Sequence, residues 1–234
     1  MSIKKAVILA AGKGTRLGAE SLKTPKPLME VLGEPVIFHT IKNCVRSGIE
    51  DIYINLHHLP EKFMSLIGDG SQFGVRVHYR IEDELLGTSG AVKNFEADLN
   101  EQPFVVLYGD NWSNYDLAAQ IRSHEQSGAE MSIVVYFKEG DVRQSGLAYF
   151  GEDKKIIRFA EKSPDTLNGG WVNAGVYFVQ PQILKKIPIG FSDFGQHIIP
   201  SLIQDGIRLN AIVADGKLIA IDTPEMLANA KRLS

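Results

Sequence analysis

Ala6-Val7-Ile8-Leu9-Ala10-Ala11-Gly12-Lys13-Gly14-Thr15-Arg16-Leu17-Gly18 reads as a short buried strand, Ala6 to Ala11, that runs directly into a glycine-rich turn. Apolar runs of similar length recur at Ile52-Leu56, Phe104-Tyr108 and Met131-Phe137. Between the first two, Val36, Ile37, Thr40, Ile41, Cys44 and Val45 follow helical spacing. Continuous apolar strands alternating with helices predict an α/β fold with a mostly parallel sheet flanked by helices. In such sheets ligands gather at the carboxyl ends of the strands, which is where the glycine-rich turn sits. After about residue 140 the pattern changes. Leu147-Phe150, Ile156-Phe159 and Trp171-Val179 read as strands separated by Gly-, Asn- and Asp-containing turns, a more antiparallel half. Asp193 to Gln204 reads as a helix interrupted by Pro200, Ile207-Val213 and Leu218-Ile221 as strands, and Pro224 onward as a terminal helix with Thr223 as N-cap.

Bulk properties narrow the class. The 234 residues are 44% hydrophobic and 23% charged, enough for a substantial core. No linker, repeat or low-complexity tract interrupts them, so we read 1–234 as a single domain with a first half to about residue 110 and a second from about 111. A net charge of -3 with scattered Lys and Arg makes no electrostatic case for nucleic acid or an anionic membrane. Lys4-Lys5 and the apolar run after them superficially resemble a leader, but the run stops at Gly12, and no segment reaches the ~18 apolar residues of a membrane span. Cys44 is the only cysteine, so no intramolecular disulfide can form, and the expected compartment is the cytoplasm.

The chemistry is carried by charged residues beside glycines. In the stretch from Leu9 to Gly18, continuing to Thr24-Pro25-Lys26-Pro27-Leu28, glycines allow backbone N–H groups to approach phosphate oxygens, and Arg16 and Lys26 supply fixed positive charge. The spacing G-x-G-x-x-x-G matches neither the dinucleotide fingerprint nor the P-loop. Asp110 ends the third apolar run, and Asp222 ends Leu218-Ile221 just before a helix start. Lys154-Lys155 reads as a solvated face, and His57-His58 lacks the acidic or cysteine companions of a metal site.

Taken together, these stretches resemble the sugar-1-phosphate nucleotidylyltransferases, a family with a Rossmann-like fold, over nearly the whole chain. The Leu86-Gly87-Thr88-Ser89-Gly90-Ala91 stretch looks like that family's base-contacting loop, Tyr108-Gly109-Asp110 like its metal-binding strand end, Glu161-Lys162 like its sugar-phosphate pair, Trp171 to Tyr177 like its sugar-binding strand, and Ile221 to Glu225 like its second metal contact. The resemblance implies nucleotide binding by Leu9, Ala11, Gly12, Gly14, Thr15, Glu82, Gly87 and Thr88. It implies sugar-phosphate binding by Gly146, Glu161, Lys162 and Asn173, catalysis by Arg16 and Lys26, and Mg²⁺ held by Asp110 and Asp222. Many members have a second glycine at Ala11. The implied partners are a nucleoside triphosphate and a sugar 1-phosphate, and a homo-oligomer is an option the resemblance leaves open.

Glu82 lies five residues before Gly87, and a carboxylate there could accept both N1–H and N2–H of guanine. That leans towards GTP, and the Leu86-Gly87-Thr88-Ser89-Gly90-Ala91-Val92 run, which is similar to that of mannose- and heptose-1-phosphate guanylyltransferases, implies mannose or heptose 1-phosphate as its partner. The other readings weighed are a uridylyl- or thymidylyltransferase, a cytidylyltransferase acting on a non-sugar phosphate, and a catalytically silent nucleotide-sugar sensor. With the sequence ending at Ser234, no appended left-handed β-helix is expected.

Overall fold

The computed structural model describes residues 3–14, 17–162, 168–221 and 223–231. Among them the strands are β1 (Lys5–Leu9), β2 (Glu30–Val31), β3 (Glu34–Pro35), β4 (Asp51–Leu56), β5 (Arg76–Ile81), β6 (Phe104–Tyr108), β7 (Asn111–Ser113), β8 (Met131–Asp141), β9 (Gly146–Phe150), β10 (Ile156–Glu161), β11 (Asn168–Val179), β12 (Leu209–Val213) and β13 (Leu218–Ala220). The helices are α1 (Ala19–Lys23), α2 (Val36–Arg46), α3 (Pro60–Ile67), α4 (Gly87–Lys93), α5 (Glu96–Leu99), α6 (Leu117–Ser127), α7 (Ile199–Gln204) and α8 (Pro224–Lys231). The fold is α/β, with a mixed, mostly parallel central sheet and flanking helices.

The chain divides into two compact units that interleave along the sequence. One comprises Lys4–Leu85, Leu107–Leu117 and Gly216–Ser234. In it β1, β4 and β5 pair in parallel, Lys5 opposite Asp51 and Asp51 opposite Arg76. The middle residues of β1 and nearly all of β4 are buried, as strands covered on both faces must be. Helix α2 buries Val36, Ile37, Thr40, Ile41 and Cys44, the apolar positions of its helical repeat. Leu17, Met29, Val31, Val36, Ile221, Leu227 and Ala230 form a further cluster, which ties the segment after the glycine-rich turn to α8. The Met226 N–H donates to Thr223 Oγ1 at 3.2 Å, the expected cap of that helix.

The other unit comprises Met1–Ile3, Leu86–Val106 and Ala118–Asp215. Here β8 with β11, β9 with β10 and β9 with β11 are antiparallel, whereas β12 joins β8 in parallel. The helix expected from Asp193 to Gln204 is two pieces. Asp193 caps a single π-helical turn, Phe194–Ile198, and α7 follows with Pro200 in its first turn. Proline there interrupts nothing, because first-turn N–H groups have no helical partner to lose.

Candidate active site

In the first unit the end of β1 is where charge collects. Gly109 N–H donates to Leu9 O at 2.9 Å, and a β-carbon on Gly109 would lie 2.9 Å from that oxygen and 3.0 Å from Ile8 Cγ2. Only glycine lets this backbone press so closely against β1, and Asp110 is thereby delivered beside the glycine-rich turn. Lys26, in the 3-10 turn Lys26–Leu28, places Nζ 3.8 Å from Asp110 Oδ2. It is 5% exposed, a depth at which lysine is uncommon. Gly14 has φ +63°, and a β-carbon there would meet Lys26 Cγ at 2.9 Å and Ser21 Cβ at 3.2 Å, so the turn closes directly onto the lysine stem. A β-carbon on Gly12 would touch nothing within 4 Å, which leaves that backbone open to a ligand. Ala11 is buried. Thr15, Arg16 and Asp222 lie outside the described residues.

Glu82, 5% exposed, follows β5. Its Oε1 accepts from Asn55 Nδ2 at 2.8 Å, and Asn55 Oδ1 accepts the Ala10 N–H at 2.9 Å. One amide side chain therefore ties the carboxylate to the start of the glycine-rich turn. Reasoning from sequence missed Asn55, although a lone amide in the apolar run Ile52-Leu56 is the kind of buried polar residue that needs a partner.

The second unit holds the remaining candidates. Gly87 and Gly90 open α4 against the backbone of 190–192, where β-carbons would fall 2.3 Å from Ser192 O and 2.2 Å from Gly190 O. Ser192 O accepts the Ser89 and Gly90 N–H groups at 3.1 Å. The Thr88 hydroxyl donates to Asp193 Oδ2 and accepts the Phe194 N–H, both at 2.9 Å, so it fastens this loop to the 190s segment. The sequence pattern offers Asp193 as a helix start, and in the structure it also accepts the Gly195 N–H on Oδ1 at 2.9 Å.

Gly146 pairs with Glu161 across β9 and β10. Glu161 Oε2 is flanked by two glycines, since β-carbons would lie 2.6 Å away on Gly146 and 2.3 Å away on Gly195. Burial pushes the Glu161 carboxyl above its ordinary value, the Asp193 carboxylate adds to the rise, and Lys162 opposes it. Lys162 itself has φ +53°, a left-handed conformation uncommon for a side chain with a β-carbon, and its N–H reaches Ser145 O at 3.2 Å. Asn173 donates to Tyr177 Oη at 2.6 Å and accepts the Gly175 N–H at 2.9 Å, locked at the register shift in β11. By count, one N–H and one lone pair of its amide remain for a ligand.

Among the described residues no three His, Cys, Asp or Glu side chains group as a metal cage. The donor that is present, the half-buried Asp110 carboxylate, suits Mg²⁺, which takes one or two carboxylates and completes its octahedron with water and phosphate oxygens.

Residues 5–218 match the family model described as nucleotidyl transferase. The chain belongs to that family. It is 31% identical over 202 residues to the mannose-1-phosphate guanylyltransferase of Mycobacterium tuberculosis, covering 86% of this chain and 56% of that one. It is 30% identical over 232 residues to the UTP--glucose-1-phosphate uridylyltransferase of Synechocystis sp., covering 93% and 60%. The chain thus spans less than two thirds of the length of these relatives. Its fold matches that of HddC from Yersinia pseudotuberculosis complexed with GMP-PN, with a TM-score of 0.80 at 24% identity over 99% of this chain and 98% of that one. No helix among the described residues is long and apolar enough to cross a membrane.

Proposed function

We propose that the chain transfers a nucleoside monophosphate from a nucleoside triphosphate to a sugar 1-phosphate and releases pyrophosphate, with GTP and a mannose or heptose 1-phosphate as the favoured pair. The observation that carries this is the buried Lys26 cation held against Gly14 and facing Asp110 at the carboxyl end of β1. A phosphate oxygen of the sugar 1-phosphate attacks the α-phosphorus in line, and the pyrophosphate oxygen leaves. The nucleophile is already ionised, so no general base is required; the barrier is repulsion between two anions, and fixed cations lower it. In this reading Gly12 and Gly14 offer N–H groups to the triphosphate, Arg16 binds the departing phosphates, and Lys26 neutralises charge between the substrates. Lys162 holds the incoming phosphate, while Glu161, Asn173 and the backbone of Gly146 take the sugar. Asp110, with Asp222, would hold Mg²⁺, whose chemistry is neutralisation of charge around the α-phosphate.

The lean to guanine rests on Glu82, a carboxylate anchored by Asn55 next to the β1 end, and on the mannose-1-phosphate guanylyltransferase among the relatives. A uridylyltransferase is the second reading, favoured by the Synechocystis relative. The buried Cys44 is consistent with a reducing, cytoplasmic setting. The test is a pyrophosphate-release screen that crosses the common triphosphates with mannose, heptose, glucose, N-acetylhexosamine and N-acetylmuramic acid 1-phosphates. GTP should win with mannose or heptose 1-phosphate; a clear win for UTP or dTTP would overturn the base assignment.

A further inference from the structure

His57 and His58 follow β4, and the chemistry above uses neither. Each presents one ring nitrogen to a backbone carbonyl: His57 Nδ1 lies 2.8 Å from Glu82 O, and His58 Nε2 lies 3.0 Å from Ser21 O. A carbonyl oxygen only accepts, so His57 carries a hydrogen on Nδ1 and His58 carries one on Nε2. The next residue, Leu59, has φ +52° and caps α3, with Pro60 in the first turn. Leucine rarely enters that left-handed region, and such strain persists where surrounding contacts enforce it. Lys62, two residues into α3 from Pro60, donates to Lys23 O, a second tie to the segment that contains Ser21.

We infer that the His57-His58 turn is a brace that positions two separate parts of the nucleotide site, the base acceptor through His57 and the phosphate turn through His58. The inference rests on the roles proposed above for Glu82 and the glycine-rich turn. On the first arm, Glu82 has its N–H bonded to Leu56 O at 2.7 Å, its carbonyl to His57 and its Oε1 to Asn55, so backbone and side chain are both fixed. On the second arm, Ser21 stands 3.2 Å from the β-carbon position of Gly14 while Lys26 closes the other side at 2.9 Å. Ser21 also donates from Oγ to Gly18 O at 2.8 Å, which rounds off the turn. Releasing Ser21 therefore loosens the wall against Gly14 and Lys26 without touching Glu82.

The two arms predict different kinetic signatures. Loss of one hydrogen bond at His57 should shrink the ratio of kcat/KM for GTP to that for UTP about fivefold in His57→Ala. His57→Asn, whose amide N–H can stand where Nδ1–H stood, should restore it, and His57→Gln should not. For His58 the expectation is a rise of about fivefold in KM for GTP and UTP alike in His58→Ala, with the ratio unchanged. There Gln, reaching as far as Nε2, should rescue and Asn should not. If the alanine variants fail to fold, the Asn and Gln variants decide by the same pattern. Equal loss with either amide, or a base ratio that responds to His58 and not His57, would overturn the brace. Glu82→Gln run beside them separates the two claims. If that change leaves the base ratio untouched, the base reading of Glu82 fails and the brace is judged on His58 alone; if it collapses the ratio while His57→Ala does not, the brace fails.

Discussion

Gly146→Ala isolates the sugar-phosphate side of the proposed reaction. The new methyl carbon would sit 2.6 Å from Glu161 Oε2 and 3.0 Å from Phe159 Cζ, whereas ordinary van der Waals separation begins near 3.4 Å. The carboxylate would have to retreat by about 0.4–0.8 Å. Retreat is restricted, because Gly195 borders the same oxygen so tightly that its own β-carbon would come within 2.3 Å. Gly146 is not among the glycines with positive φ, so alanine imposes no backbone strain and the effect is confined to the contacts with Glu161 and Phe159. A displacement approaching 1 Å in a positioning group can cost about a hundredfold in rate, so kcat/KM for the sugar 1-phosphate should drop about ten- to a hundredfold. KM for the triphosphate should stay within about twofold, since the change is aimed at the other substrate. Steady-state pyrophosphate release with each substrate varied in turn reads both. A Gly146→Ala protein with unaltered kcat/KM for every sugar 1-phosphate it accepts would refute the role given to Glu161.

Further perturbations test the charge set and the scaffold. Lys26→Ala and Asp110→Asn each remove one electrostatic stabiliser and should lower kcat by at least about a hundredfold with near-native circular dichroism, whereas a folded Asp110→Asn enzyme with normal magnesium-dependent turnover would refute the metal assignment. Gly90→Ala would drive a β-carbon to 2.2 Å from Gly190 O and should cost about 1–3 kcal/mol of stability in urea titrations. His124 is 1% exposed, its Nδ1 lies 2.8 Å from Ser132 Oγ, and burial lowers its pKa from 6.5 to about 4. The folded state resists this protonation and the unfolded state does not, so the contribution is present above pH 6.5 and lost as pH falls towards 4. Over that window wild type should lose up to about 3 kcal/mol more than His124→Asn, and parallel pH dependences for the two would contradict it.

Periodicity revealed most of the scaffold. The apolar run of β4, the helical spacing of α2 and the Thr223-Pro224 start of α8 all appear where residue pattern placed them. β5 alternates Val77, Tyr79 and Ile81 with Arg76, His78 and Arg80, but only Val77 is buried, and a reading built on continuous apolar runs passes over it. The split of the 193–204 helix was hidden for a different reason: a π turn is fixed by the Asp193 cap, and helical periodicity cannot register an extra residue in one turn. At the site, individual charges such as Lys26 and Asp110 were legible as residue types at strand ends. The hydrogen-bond partners of Glu82 and of the Gly87 loop were not, because Asn55, Ser192 and Asp193 act across 27 to 105 positions of sequence. The glycines carried a signal that became specific only with coordinates. Gly109, Gly146 and Gly195 mark places where a backbone or carboxylate comes too close for any β-carbon.

Phosphorus-31 NMR of the protein with GTP, mannose or heptose 1-phosphate and Mg²⁺ tests the central claim most directly. The account predicts that GTP and sugar phosphate disappear together while pyrophosphate and a sugar diphosphonucleoside appear in equal amounts, and that omitting either substrate stops all four changes. Consumption of a triphosphate without the sugar phosphate, or tight binding of both with no pyrophosphate formed from any triphosphate and sugar 1-phosphate pair, would contradict it.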